Sequence, residues 1–167
     1  MFTAAILCMS DKGFRGERED KSTLVIEDIL LNWNYKIIEK RIIPDDRETI
    51  QNNLTELSDI LGANLIITTG GTGLTERDNT PEATKNILDK EVPGISEAIR
   101  AYSMTITKRA MLSRAVSGIR GKSLIINLPG SPKAVRESLE YIVDTLKHGL
   151  ELINHGSQEC GSPSHKN

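Results

Sequence analysis

The sequence predicts a single α/β domain, a three-layer sandwich built on a mostly parallel sheet. Three observations carry this. Short runs of β-branched and apolar residues at 1–9, 35–43, 65–69 and 122–128 alternate with stretches whose apolar residues recur at helical spacing. Those runs lead into charged or glycine-punctuated loops, the place where open α/β sheets hold ligands. The 167 residues, 38% hydrophobic and 26% charged, suffice for one sizeable core and are too few for two independent ones.

Taken in order, residues 1–9 read as the first strand, followed by a charged loop from Ser10 to Lys21. Leu24, Val25, Ile29, Leu30 and Trp33 place a helix over 22–33, and Ile37, Ile38, Ile42 and Ile43 a strand over 35–43. Pro44-Asp45-Asp46 breaks that strand, and Asp46 is a fitting N-cap for a helix carrying Ile50, Leu54, Leu57 and Leu61. The third strand, 65–69, runs into three glycines within four residues, and Thr80-Pro81-Glu82 then starts a helix with Thr80 as the capping hydroxyl. That helix is expected over 81–90, a second over 95–104, and residues 105–113 carry no clear pattern. Residues 116–120 and 122–128 read as a strand pair turning at Gly121. Pro129-Gly130-Ser131-Pro132 starts the last helix, which is expected to end near Ile153. The domain is thus set at 1–153, with a disordered polar tail over 154–167.

Composition narrows the partners. The net charge of −2 leaves no broad basic face for nucleic acid, so an anionic ligand must be held by a local cluster of cations. Cys8 and Cys160 are too few and too separated for a disulfide framework or a zinc site, and Cys8 fits best as a small core residue. No apolar run approaches a membrane span and no signal-peptide pattern opens the chain, so the expected setting is the cytoplasm.

The chemistry concentrates at 66–82. Gly70, Gly71 and Gly73 let backbone N–H groups approach a phosphate closely, Thr68, Thr69 and Thr72 add hydroxyls, and Arg77 beside Asp78 adds a cation and a possible metal ligand. The spacing is neither that of a P-loop nor that of a dinucleotide-binding turn, and a glycine-rich connection is often only a tight turn. Asp45 follows a proline and can be a turn residue, but Asp46 can fill the cap instead. Arg77 can equally pair with Glu76 or Asp78. Ser131 and Lys133 stand where a helix start offers a second anion site, or where a serine simply caps the helix.

The whole run, GGTGLTERDNTPE, resembles the hallmark of the molybdenum-cofactor biosynthesis domain family, and looks closest to its stand-alone MogA-like adenylyltransferases. Ser10-Asp11 after the first strand, Ile43-Pro44-Asp45 after the second, and Leu128-Pro129-Gly130-Ser131-Pro132-Lys133 before the last helix resemble the family's other motifs. The resemblance implies transfer of an adenylyl group from ATP to the phosphate of molybdopterin, with release of pyrophosphate and help from Mg2+. It implies Asp45 and Asp78 as catalytic, metal-binding carboxylates. Gly70, Gly71, Thr72, Gly73, Arg77, Ser131 and Lys133 would hold phosphate or nucleotide. Ser10, Asp11, Thr69, Pro129 and Gly130 follow as weaker substrate contacts; Lys108, Arg109 and Arg114 either shape a basic pocket for the pterin's phosphate or are simply solvated surface. It further implies a homotrimer and a downstream molybdate-inserting protein, with no nucleic acid or membrane partner. A non-catalytic trimeric paralogue that binds pterin or nucleotide is the alternative.

Overall fold

The computed structural model describes residues 1–156. A six-stranded sheet forms its middle layer, in the order β2-β1-β3-β6-β5-β4. Strands β1 (Thr3–Met9), β2 (Lys36–Ile43), β3 (Leu65–Thr69) and β6 (Ser123–Leu128) run parallel. Strands β5 (Ser117–Arg120) and β4 (Lys90–Glu91) close one edge antiparallel. The helices are α1 (Asp11–Phe14), α2 (Lys21–Asn32), α3 (Arg47–Thr55), α4 (Thr80–Ile87), α5 (Pro93–Met104) and α6 (Pro132–His155).

The central strands are buried on both faces, which is why β1, β3 and β6 read as continuous apolar runs. Alternate residues serve opposite layers. Ala4, Ile6, Leu65, Ile67, Leu124 and Ile126 pack against α2, α5 and α6 through Ile26, Leu30, Ile99, Leu139 and Val143. Ala5, Leu7, Ile66 and Ile125 pack against α3 and α4 through Ile50, Leu54 and Ala83. That makes the three layers expected from sequence.

One polar group interrupts the second core. Asn127 is fully buried in β6, donating to Thr68 Oγ1 at 2.9 Å and Thr84 Oγ1 at 3.0 Å, and accepting from the N–H of Val116 at 3.2 Å. Replacing it by leucine strands the buried hydroxyls of Thr68 and Thr84, each worth about 1–3 kcal/mol when unpaired, and the half-buried N–H of Val116. Asn127→Leu is therefore expected to lose about 3 kcal/mol, read as a lower urea midpoint with an unchanged slope. An unchanged midpoint would remove the network from the account of stability.

Several expectations are corrected. The helix expected over 81–90 stops at Ile87, because Lys90 and Glu91 pair with Ile119 and Gly118 as the short edge strand β4. Thr80 does not cap α4: Asn79 precedes the helix without a side-chain cap, and the Thr80 hydroxyl donates to the carbonyl of Gly70 at 2.9 Å. After α3 the chain widens into a π-turn, Glu56–Ile60, which leaves Leu61 partly exposed rather than in the core. The unassigned stretch 105–113 contains a 3-10 turn, Lys108–Leu112. Helix α6 continues through Asn154 and His155, and the expected tail from 157 onward lies outside the described residues.

Candidate functional site

The strand order places the site. From β1 the chain moves outward to β2, whereas β3 leads the other way toward β6, so a crevice opens beyond the carboxyl ends of β1 and β3. The four loops singled out in the sequence all leave this rim. They are stitched together: Ser10 N–H donates to Ile43 O at 2.9 Å, Gly70 N–H to Leu128 O at 3.3 Å, and Thr69 Oγ1 to Pro129 O at 2.7 Å.

The glycine loop is the ridge of the site. Gly70 has φ +92° and Gly71 φ +67°, conformations that L side chains rarely adopt, and a Cβ on Gly70 would strike the carbonyl of Met9. The carbonyls of Gly70 to Gly73 are all occupied. Thr80 Oγ1 holds that of Gly70 and Thr80 N–H that of Gly71 at 3.1 Å. Arg114 holds those of Thr72 and Gly73. The N–H of Gly70 is committed to Leu128, but those of Gly71 and Thr72 donate to no acceptor among the described residues. Two adjacent unpaired donors on a rigid ridge suit an anion.

Carboxylates flank the ridge. Asp45 Oδ1 lies 3.1 Å from where a Gly71 Cβ would stand, and Asp78 Oδ2 2.9 Å from that of Gly73. Asp45 is locked to Asp11 by reciprocal bonds, Asp11 N–H to Asp45 Oδ2 at 3.1 Å and Asp45 N–H to Asp11 Oδ1 at 3.0 Å. Arg77 grips Asp11 with two bonds, at 2.8 and 3.0 Å, rather than Glu76 or Asp78. Burial and the charges of Asp11 and Asp78 raise the Asp45 carboxyl above its ordinary range, against the Asp11 N–H bond and the Arg77 charge. Arg77 and the Asp45 N–H hold Asp11 below its own. Burial pushes Asp78 up, but bonds from Thr75 Oγ1 and the N–H groups of Thr75 and Gly73, with the Arg114 charge, outweigh it and leave the carboxyl lowered.

Behind the ridge, on the α2 and α6 side, lies a cavity of about 660 Å³ lined by Met9, Ser10, Thr69, Gly70, Gly130 and Ser131. Arg18, Lys21 and Ser22 also face it, and the N-termini of α2 and α6 both end there. Ser22 Oγ joins the two helix starts by donating to Gly130 O at 2.8 Å. Cys8 is in its floor, but burial and the Asp20 carboxylate push the thiol up to about 12, so it stays protonated and inert. A larger cavity of about 970 Å³ lies at the opposite ends of the strands, beside Phe2, Trp33 and His148, far from every motif.

The rim thus gathers Ser10, Asp11, Asp45, Thr69, Gly70 to Gly73, Arg77, Asp78, Pro129, Gly130 and Ser131. Ser131 is also the N-cap of α6, accepting from Ala134 N–H at 3.2 Å, and Ser10 caps α1 through Gly13 N–H at 3.0 Å. Lys133 stands apart: its side chain is 81% exposed and lies 3.8 Å from Glu137 on its own helix. Lys108 and Arg109 are on an exposed turn, whereas Arg114 turns in against the glycine loop. The sequence marks the stretch from Ser10 to Lys21 as a charged loop at a ligand-binding strand end, but it does not single out Arg18, Lys21 and Ser22, which line the cavity at and just before the start of α2. Among the described residues, no group of three or more His, Cys, Asp or Glu side chains is arranged to hold a metal ion.

A family profile described as "Probable molybdopterin binding domain" matches residues 5–148. The chain is 41% identical over 150 residues to a molybdopterin adenylyltransferase of Helicobacter pylori strain J99, covering 89% of this chain and 85% of that protein. It is 40% identical over 152 residues to the molybdopterin adenylyltransferase of Escherichia coli K12, covering 87% and 77%. The crystal structure of the molybdopterin biosynthesis enzyme MoaB from Thermus thermophilus superposes with a TM-score of 0.89 at 46% identity, over 95% of this chain and 100% of that one.

Proposed function

The chain belongs to the family of molybdopterin-binding domains of molybdenum cofactor biosynthesis, and from that premise we propose that it is a molybdopterin adenylyltransferase. The observation that carries this reading is the glycine ridge with two free N–H groups between the carboxylates of Asp45 and Asp78. A phosphate oxygen of molybdopterin attacks the α-phosphorus of ATP. One P–O bond forms, the bond to the β-phosphate oxygen breaks, and pyrophosphate leaves with the electron pair. Both reactants are anions, so the protein's work is to hold them in line and offset charge.

The residues divide that work. The N–H groups of Gly71 and Thr72 take a phosphate oxygen on the ridge, with Gly70 and Gly73 keeping the backbone close. The cavity between the N-termini of α2 and α6 takes the second phosphorylated partner, where the helix dipoles and Arg18 offset its charge against the carboxylates of Glu19, which lies beside Lys21, and Asp20, which caps α2. Ser131 and Gly130 line that wall. Arg77 steadies Asp11, and through it Asp45.

Asp45 and Asp78 fit a magnesium ion. Asp45 Oδ1 faces the loop while Oδ2 is spent on Asp11, and the Asp45 carboxyl is raised by burial first and then by the charges of Asp11 and Asp78, so a cation there would offset both the burial and the repulsion of its charged form. Two carboxylates completed by substrate phosphate oxygens are the usual donor set for this ion. When bound, it neutralises phosphate charge. Pyrophosphate release from ATP and molybdopterin is therefore expected to stop in excess chelator and return with added magnesium. Undiminished turnover in chelator would remove the metal, and no release under any condition would remove the transferase reading.

The protein is further proposed to act as a homotrimer in the cytoplasm, handing its product to a molybdate-inserting protein. The support for assembly is an apolar patch around the end of α5, where Met104, Ile106, Met111 and Leu112 are all exposed. Sedimentation at micromolar concentration reads this directly, and a monomer there would overturn it. No helix among the described residues is long and apolar enough to cross a membrane.

A further inference from the structure

Arg114 comes from the far side of the chain, between α5 and β5, yet it meets the glycine loop at both ends. Its N–H donates to Thr72 O at 3.0 Å, its Nε to Gly73 O at 2.7 Å and its Nη2 to Asp78 O at 2.6 Å. Its Nη1 pairs with Glu82 in the first turn of α4. The neighbouring peptide is braced in turn, since Arg100 Nη1 donates to Ala115 O at 2.8 Å. One side chain therefore closes the base of the excursion between Gly73 and Asp78 and ties it to α4.

Inside that excursion, Asp78 Oδ2 accepts from Thr75 N–H at 2.8 Å and Thr75 Oγ1 at 2.7 Å. The Asp78 carboxylate is oriented by its own loop, and the loop is located by Arg114. The planar guanidinium suits this task because its fork reaches separated acceptors at fixed angles, which a lysine ammonium cannot do.

We propose that Arg114 is a positioning residue for adenylyl transfer, its side chain setting the place of Asp78 without touching substrate. The proposal rests on the adenylyltransferase reading above. A carboxylate displaced by about 1 Å costs on the order of a hundredfold in rate, so Arg114→Ala should lose about that much in kcat. Arg114→Lys, which keeps the charge and loses the fork, should recover no more than about a tenth of wild-type turnover.

The test is a double-mutant cycle with Asp78→Asn, combined with amide hydrogen exchange on the ligand-free protein. If Arg114 acts through Asp78, adding Arg114→Ala to Asp78→Asn should deepen the loss by less than about threefold. Exchange should rise at the hydrogen-bonded N–H groups of Thr75, Asp78 and Thr80 while the strands at 65–69 and 123–128 keep their protection. Near-wild-type turnover in Arg114→Ala, or losses that multiply in the double variant, would overturn the proposal. Exchange rising equally in the strands would also overturn it, by making the effect global. If Arg114→Ala does not fold, Arg114→Lys carries the same cycle. If the wild type itself releases no pyrophosphate, the transferase reading fails separately, and the exchange pattern alone then decides whether Arg114 holds the loop.

Discussion

Asp78→Asn and Asp45→Asn should each lose about a hundredfold or more in turnover, and they should move stability in opposite directions. The shared loss follows from their place on either side of the ridge, where a neutral amide is a poor magnesium ligand and cannot offset phosphate charge. A charge interaction made mainly in the transition state is worth about 3 kcal/mol, which sets the factor. The opposite stability effects follow from the two environments. The Asp45 carboxyl is raised in the folded protein, by burial first and then by Asp11 and Asp78, so its ionised form opposes folding. Stability from this group falls as pH rises through the raised value, and at neutral pH Asp45→Asn should be as stable as the wild type or more so. Asp78 is lowered in spite of its burial, because Thr75, Gly73 and Arg114 favour the charged form. Its contribution is present above the ordinary carboxylate range and is lost as pH falls through the lowered value, so Asp78→Asn should melt earlier at neutral pH. Thermal melts at pH 7 and pyrophosphate release at matched magnesium check both halves. Two variants that melt alike would refute the electrostatic account, and near-wild-type turnover in either would remove that aspartate from the mechanism.

The difference between what the sequence disclosed and what it concealed is one of chain distance. The strands were legible because burial on both faces demands unbroken apolar runs such as Leu65 to Ile67, and the ridge because only glycine takes the conformations of Gly70 and Gly71 without strain. Asp45 and Asp78 were legible as candidates on one rim from the motifs around them, though not their closeness to Gly71 and Gly73. The role of Arg114 was hidden, since it lies 36 residues from the Asp78 carbonyl that it holds, and no local pattern joins the two. Thr80 misled for a related reason: a threonine before proline is a good cap locally, but the tertiary demand of the Gly70 carbonyl prevailed. Lys133 misled by geometry, because a residue one step into a helix can face outward, and this one lies beside Glu137. Strand β4 had no signature at all, being two charged residues on an edge.

Gly71→Ala should damage both the fold and the chemistry, and it isolates the ridge from its charges. A Cβ at this position would strike Thr80 Oγ1 and stand 3.1 Å from Asp45 Oδ1, on a backbone already at φ +67°. Holding alanine in that left-handed conformation costs about 1–2 kcal/mol. Moving Thr80 away breaks its bond to Gly70 O, worth about 1 kcal/mol more, so a loss of about 2–3 kcal/mol is expected in urea unfolding. Turnover should fall further than stability alone explains. The same Cβ displaces the Asp45 carboxylate and the Gly71 N–H together, and a shift of about 1 Å is enough for roughly a hundredfold. Gly149→Ala is the matched control: it lies within α6, a Cβ there meets nothing within 4 Å, and alanine should stabilise the helix by about 1 kcal/mol. Assayed well below both unfolding midpoints, Gly149→Ala should turn over like the wild type while Gly71→Ala does not. If the two variants release pyrophosphate at the same rate, the ridge is only a connection between β3 and α4, and the phosphate must be held elsewhere on the rim.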